Sequence, residues 1–136
     1  MTNGHRGLLG LTTFLVAGQT LMIVLYCFLF APMLFHGIGP EEQDYATSSR
    51  ATAQTAAAML FGTLAGATNA WSCRGMARAV RDRTSAARRL TAAGTVQAVV
   101  VAGAVLFAWP AAIAASLAAL LPLLLCWTLD RRTFGT

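Results

Sequence analysis

Residue types able to do chemistry gather in one short interval, 36–50 (HGIGPEEQDYATSSR), which holds His36, Glu41, Glu42, Asp44 and Tyr45. Carboxylates beside an imidazole can pass protons or hold a hard or borderline cation. The spacing fits neither a zinc motif nor a calcium loop, so it implies no metal. The same residues are also accounted for by an outer loop that is simply free to be acidic. No glycine-rich phosphate loop, nucleophile elbow or dinucleotide fingerprint occurs, and no cofactor is implied.

A second set of residues is polar without charge and lies inside long apolar runs: Gln19, Thr20, Gln54, Thr63, Asn69 and Gln97. Along antiparallel spans, Gln19, Thr20 and Thr63 fall near mid-membrane, and Gln97 a little inward of it. Hydrogen bonding between helices is the first explanation for such residues, and a polar cavity for a substrate is the second. The runs contain no Asp, Glu, Lys, Arg or His. Proton-coupled exporters need an ionisable group at depth, so that class is disfavoured. Cys27, Cys73 and Cys126 have no short spacing that would mark a disulfide framework or a metal knuckle. Cys73 and Cys126 both fall near the inner ends of their spans and could be neighbours.

The elements that must position these residues follow from composition. Of 136 residues, 57% are hydrophobic and only 11% charged, whereas a soluble domain carries about a quarter charged residues. The chain reads as a single all-α integral membrane domain, residues 1–136, with four antiparallel transmembrane helices at about 8–33, 51–73, 90–108 and 111–129. The first run exceeds the roughly 20 residues needed to cross the hydrocarbon. It is also longer than a signal-peptide core and lacks a small-x-small cleavage site behind it, so it is expected to stay as a span, ended or kinked by Pro32. Thr47, Ser48 and Ser49 offer hydroxyls to cap the second helix. Trp109 and Pro110 alone separate the last two spans, and Pro122 can bend the fourth.

Orientation follows from the ten arginines, the chain having no lysine. Arg74, Arg78, Arg81, Arg83, Arg88 and Arg89 lie between the second and third spans, either on a short basic helix along the inner leaflet or in a solvated loop. The positive-inside rule places them, and with them both termini, in the cytoplasm of a multi-pass cell-membrane protein. Trp71 and Trp127 then fall at the inner interface and Trp109 at the outer one. Anionic headgroups are the expected partner of the basic stretch. Aromatic and basic residues do not interleave, so nucleic acid is not expected.

The second span is poor in large apolar residues but carries Ala58, Gly62, Gly66 and Ala70 at four-residue spacing. Such a ladder lets another helix approach closely in lipid, whether from the same chain, a second copy or a different membrane protein. The leading expectation is a non-enzymatic accessory or structural subunit that uses this face. Two alternatives are a small membrane enzyme with a lipophilic substrate at the outer loop, and an oligomeric channel or carrier lined by Gln19 and Gln97.

Overall fold

The computed structural model describes residues 2–36, 45–106 and 110–135, with side chains described for 2–33, 49–106 and 110–135. The described residues are helical almost throughout and include no strand. In chain order come α1 (Asn3–Leu25), a π turn (Tyr26–Phe30), α2 (Ala31–His36), α3 (Tyr45–Asp82), α4 (Ala87–Leu106) and α5 (Pro110–Phe134). Three stretches are long and apolar enough to cross a membrane: Asn3–Met33, Ala87–Leu106 and Pro110–Phe134. The 38-residue α3 is not among them, because alanine, glycine and threonine replace the larger apolar residues of the other helices.

Of the two outcomes expected at Pro32, an end or a kink, the helix does not end there but continues to His36, with a π turn just before the proline. A proline ring collides with the carbonyl four residues back in a regular α-helix. Here the preceding turn is widened, with the Ala31 N–H bonded to the Tyr26 carbonyl five residues back. The basic stretch also differs from both expected forms. Arg74, Arg78 and Arg81 lie on the uninterrupted continuation of α3. That helix stops at Arg83, whose φ of 55° is left-handed. The Thr84 N–H then bonds back to the Ala79 carbonyl, the six-to-one closure of a Schellman cap.

The chain divides into two compact units, residues 1–19 with 68–136, and residues 20–67. In the first, a core of Leu9, Val16, Met76, Ala79, Ala86, Leu90, Ala93, Leu123 and Cys126 is drawn from α1, α3, α4, α5 and, for Ala86, the link just before α4. The connection between Leu106 and Pro110 makes α4 and α5 an antiparallel pair, with Pro110 at the first position of α5, where its missing N–H costs nothing. Thr12 meets Cys126 and Gln19 meets Ser116, so α1 runs antiparallel to α5 as well. In the second unit, Gly62 lies so close to the π turn that a Cβ there would sit 2.6 Å from the Cys27 Cβ. One turn on, a Cβ at Gly66 would sit 3.1 Å from Val24.

The outward faces are apolar. Phe14, Leu21 and Met22 on α1, Leu60 and Leu64 on α3, Val105 and Leu106 on α4, and Leu121 on α5 are all more than half exposed. Threonines among them return their hydroxyls to the helix itself: Thr13 to Leu9, Thr63 to Met59, Thr91 to Ala87 and Thr95 to Thr91. A hydroxyl bonded to a carbonyl one turn back is tolerated on an apolar face.

Candidate functional site

The interior of the first unit carries polar side chains on the same seams as its apolar core. On α5 the buried positions are Ser116, Ala119, Leu123, Cys126 and Asp130. Their alternating spacing of three and four residues defines one helix face. From Asp130 to Ser116 this face spans about 21 Å at 1.5 Å per residue. The α1 seam is His5, Leu9, Thr12 and Val16, and α4 contributes Leu90, Ala93, Gln97 and Ala104. On α3, Asn69, Ser72, Met76 and Ala79 are likewise buried.

At one end of the seam, Asp130 is fully buried and closes the start of α4. Its carboxylate accepts the Ser85 hydroxyl at 2.6 Å and the Ala86 N–H at 3.2 Å. Ser85 Oγ in turn accepts the Ala87 N–H at 3.3 Å. Two of the amides that a helix start leaves without partners are thereby satisfied, and a negative charge stands where the helix dipole favours it. About one turn along, Thr12 Oγ1 lies 3.2 Å from Cys126 Sγ while also donating to the Leu8 carbonyl. Cys73 Sγ donates to the carbonyl of Thr13 at 3.7 Å. Cys73 and Cys126 thus both reach α1, at adjacent residues, and both are free thiols.

Further along lie the amides. Gln19 Nε2 donates to Ser116 Oγ at 3.1 Å, and its Oε1 has no partner among the described residues. Gln97 and Asn69 are fully enclosed, and among the described residues neither side chain has a hydrogen-bond partner for its nitrogen or its oxygen; the Ser72 hydroxyl is in the same condition. A buried polar group left without a partner costs on the order of 1–3 kcal/mol. Four such groups in one helical interior form an uncharged, hydrogen-bonding lining of unused capacity.

The expected site residues distribute as follows. Gln19 and Gln97 belong to this lining, whereas Thr63 is exposed and bonded to its own helix. Thr20 falls in the second unit and is half-buried. Gly62 and Gly66 are buried, Ala58 is half-buried and Ala70 exposed. The part of the ladder expected to meet a partner is therefore covered by Cys27, Phe28 and Val24 of the same chain. Arg74, Arg78, Arg81, Arg83 and Arg88 are exposed, with Arg81 paired to Asp82. Arg89 instead lies 3.2 Å over the Trp71 ring and donates to the Trp71 carbonyl. Gly75 leaves it room, since a Cβ there would come within 2.6 Å of the arginine side chain. Glu41, Glu42 and Asp44 lie outside the described residues, as do the side chains of His36 and Tyr45.

Asn69 is among the polar residues the sequence marks within the apolar runs, whereas Ser72, Ser116 and Asp130 are not marked there. The available signal was their three-and-four spacing with small residues, as in Ser116, Ala119, Leu123 and Cys126. Comparison with protein-family models, with characterised proteins and with solved structures finds no match for this chain. The described residues are all-helical apart from short links and include three helices long and apolar enough to cross a bilayer, compatible with a small membrane protein.

Proposed function

We propose that the protein is a four-span membrane protein, with both termini cytoplasmic, that admits a small neutral hydrogen-bonding solute into its polar interior as a carrier or channel. The observation that carries this reading is the pair Gln97 and Asn69, enclosed amides with all four polar atoms unpartnered. Each amide offers donors and an acceptor but no charge, which suits a neutral solute better than an ion. Counting α3 as the fourth span draws support from Leu60 and Leu64, which it exposes as a lipid-facing helix would. The orientation draws support from the arginines. Arg74, Arg78, Arg81, Arg83, Arg88, Arg131 and Arg132 are exposed and fall near or beyond the ends of α3, α4 and α5, and such a run of basic residues belongs on the cytoplasmic side.

The leading expectation from the sequence, an accessory subunit docking through the Ala58, Gly62, Gly66 and Ala70 face, draws less support, because Gly62 and Gly66 pack against Cys27, Phe28 and Val24 of the same chain while Ala70 is exposed. The test is solute permeation in proteoliposomes, followed by stopped-flow light scattering with urea and glycerol. Flux above protein-free vesicles, falling about tenfold or more in Gln97→Leu and Asn69→Leu, is expected. Flux indistinguishable from empty vesicles, or unchanged in both variants, refutes the reading.

A further inference from the structure

On the outer side of the α4/α5 pair runs an open groove of about 370 Å³, bordered by Leu90, Gly94 and Ala98 on one side and Leu120, Leu124 and Trp127 on the other. From Leu90 to Ala98 it extends about 12 Å along the helix axis. Its two threonines, Thr91 and Thr95, spend their hydroxyls on carbonyls of α4, so the groove presents hydrocarbon. Gly94 widens it, since nothing lies within 4 Å of the position its Cβ would take.

One end of this groove is cationic. Trp127, which lines it, carries the Arg131 guanidinium 4.1 Å above its ring. Arg88 is exposed and stands one turn before Thr91 on the same helix face. No acid neutralises either arginine: among the described residues Asp82 pairs with Arg81, and Asp130 is buried on Ser85 and Ala86. An apolar channel along two helices, closed at one end by two unpaired guanidinium groups, matches an amphiphile with a hydrocarbon tail and an anionic head. Guanidinium groups suit phosphate oxygens in both charge and donor geometry.

We propose that this groove is a binding site for an anionic phospholipid, with one acyl chain along Leu90–Ala98 and the phosphate between Arg88 and Arg131. The groove shares Leu90 and Leu123 with the buried core but includes none of the unpartnered polar residues Gln19, Asn69, Ser72 and Gln97.

The test uses Trp127 as a reporter in the full chain, with Trp71→Phe and Trp109→Phe leaving it the single tryptophan. The protein is reconstituted in phosphatidylcholine vesicles containing rising fractions of either brominated phosphatidylglycerol or brominated phosphatidylcholine. The phosphatidylglycerol should quench Trp127 at a lower mole fraction, by about fivefold for each arginine engaged. Arg131→Gln and Arg88→Gln should each reduce that preference. Gly94→Leu, which fills the groove without touching a charge, should abolish it. Equal quenching by the two lipids overturns the proposal. So does a preference that survives in Gly94→Leu, because it would reflect general attraction of anionic lipid to a basic surface.

Discussion

Removing the Asp130 carboxylate should unfasten the start of α4. It accepts two hydrogen bonds, from Ser85 and Ala86, and bonds to a charged acceptor contribute about 1.5–3 kcal/mol each. Ser85 is exposed, so water can replace the carboxylate at its hydroxyl, whereas Ala86 is only 1% exposed and its N–H would be stranded. The lower part of the range therefore applies, and Asp130→Ala should cost about 3 kcal/mol. Asp130→Asn retains a carbonyl oxygen for the Ala86 N–H and loses the charge, at a cost of about 1 kcal/mol. Unfolding from mixed micelles by sodium dodecyl sulfate, followed by tryptophan fluorescence, measures both. Ser85→Ala supplies the internal control: it should destabilise the native protein by about 1–2 kcal/mol and clearly less in the Asp130→Ala background, where only its bond from the Ala87 N–H remains to be lost. A cost below about 1 kcal/mol for Asp130→Ala, or full additivity with Ser85→Ala, would refute the carboxylate as the cap of α4.

Three further outcomes can be checked in the same unfolding assay. Arg83→Gly should raise stability by up to about 1 kcal/mol, because the left-handed φ is costly for any residue with a Cβ, and Arg83→Val should lower it. Gly62→Ala should be more damaging than Gly66→Ala, at about 1–3 kcal/mol of overpacking, since the new methyl would meet the Cys27 Cβ at 2.6 Å rather than a Val24 methyl at 3.1 Å. Gln97→Leu should leave stability unchanged or raise it, because it removes an enclosed amide that bonds to nothing; a loss of more than about 2 kcal/mol would show that this amide is already satisfied.

The helical class and most of the spans were legible in the sequence, because uninterrupted apolar length is a strong local signal. The inward faces were much less so. In a soluble helix the buried stripe is the apolar one, but here Leu117, Leu121, Leu124 and Leu125 point outward while Ser116, Ala119 and Cys126 face the core. When the surroundings are as apolar as leucine, smallness and polarity mark the interior instead. Gln19 and Gln97 were conspicuous as lone amides in apolar runs. Asn69 stood out less, and Ser72, in a helix already rich in small polar residues, gave no such contrast. The role of Asp130 depends on a contact with residues some 45 positions earlier, which no local pattern announces. The Arg89–Trp71 stack likewise depends on room left by Gly75 on another helix.

The widened turn at Tyr26–Phe30 bears on which length changes this chain can accept. A π turn holds one residue more than the α turn it replaces, so everything after Phe30 is rotated by about 100° relative to an uninterrupted helix. Deleting one residue within 26–30 would remove the surplus and return the flanks to a single regular helix. It would also bring a carbonyl back beneath the ring of Pro32. Turn and proline are therefore a matched pair: the deletion should be accepted only together with Pro32→Ala, and a chain one residue shorter here should be sought without a proline at this position.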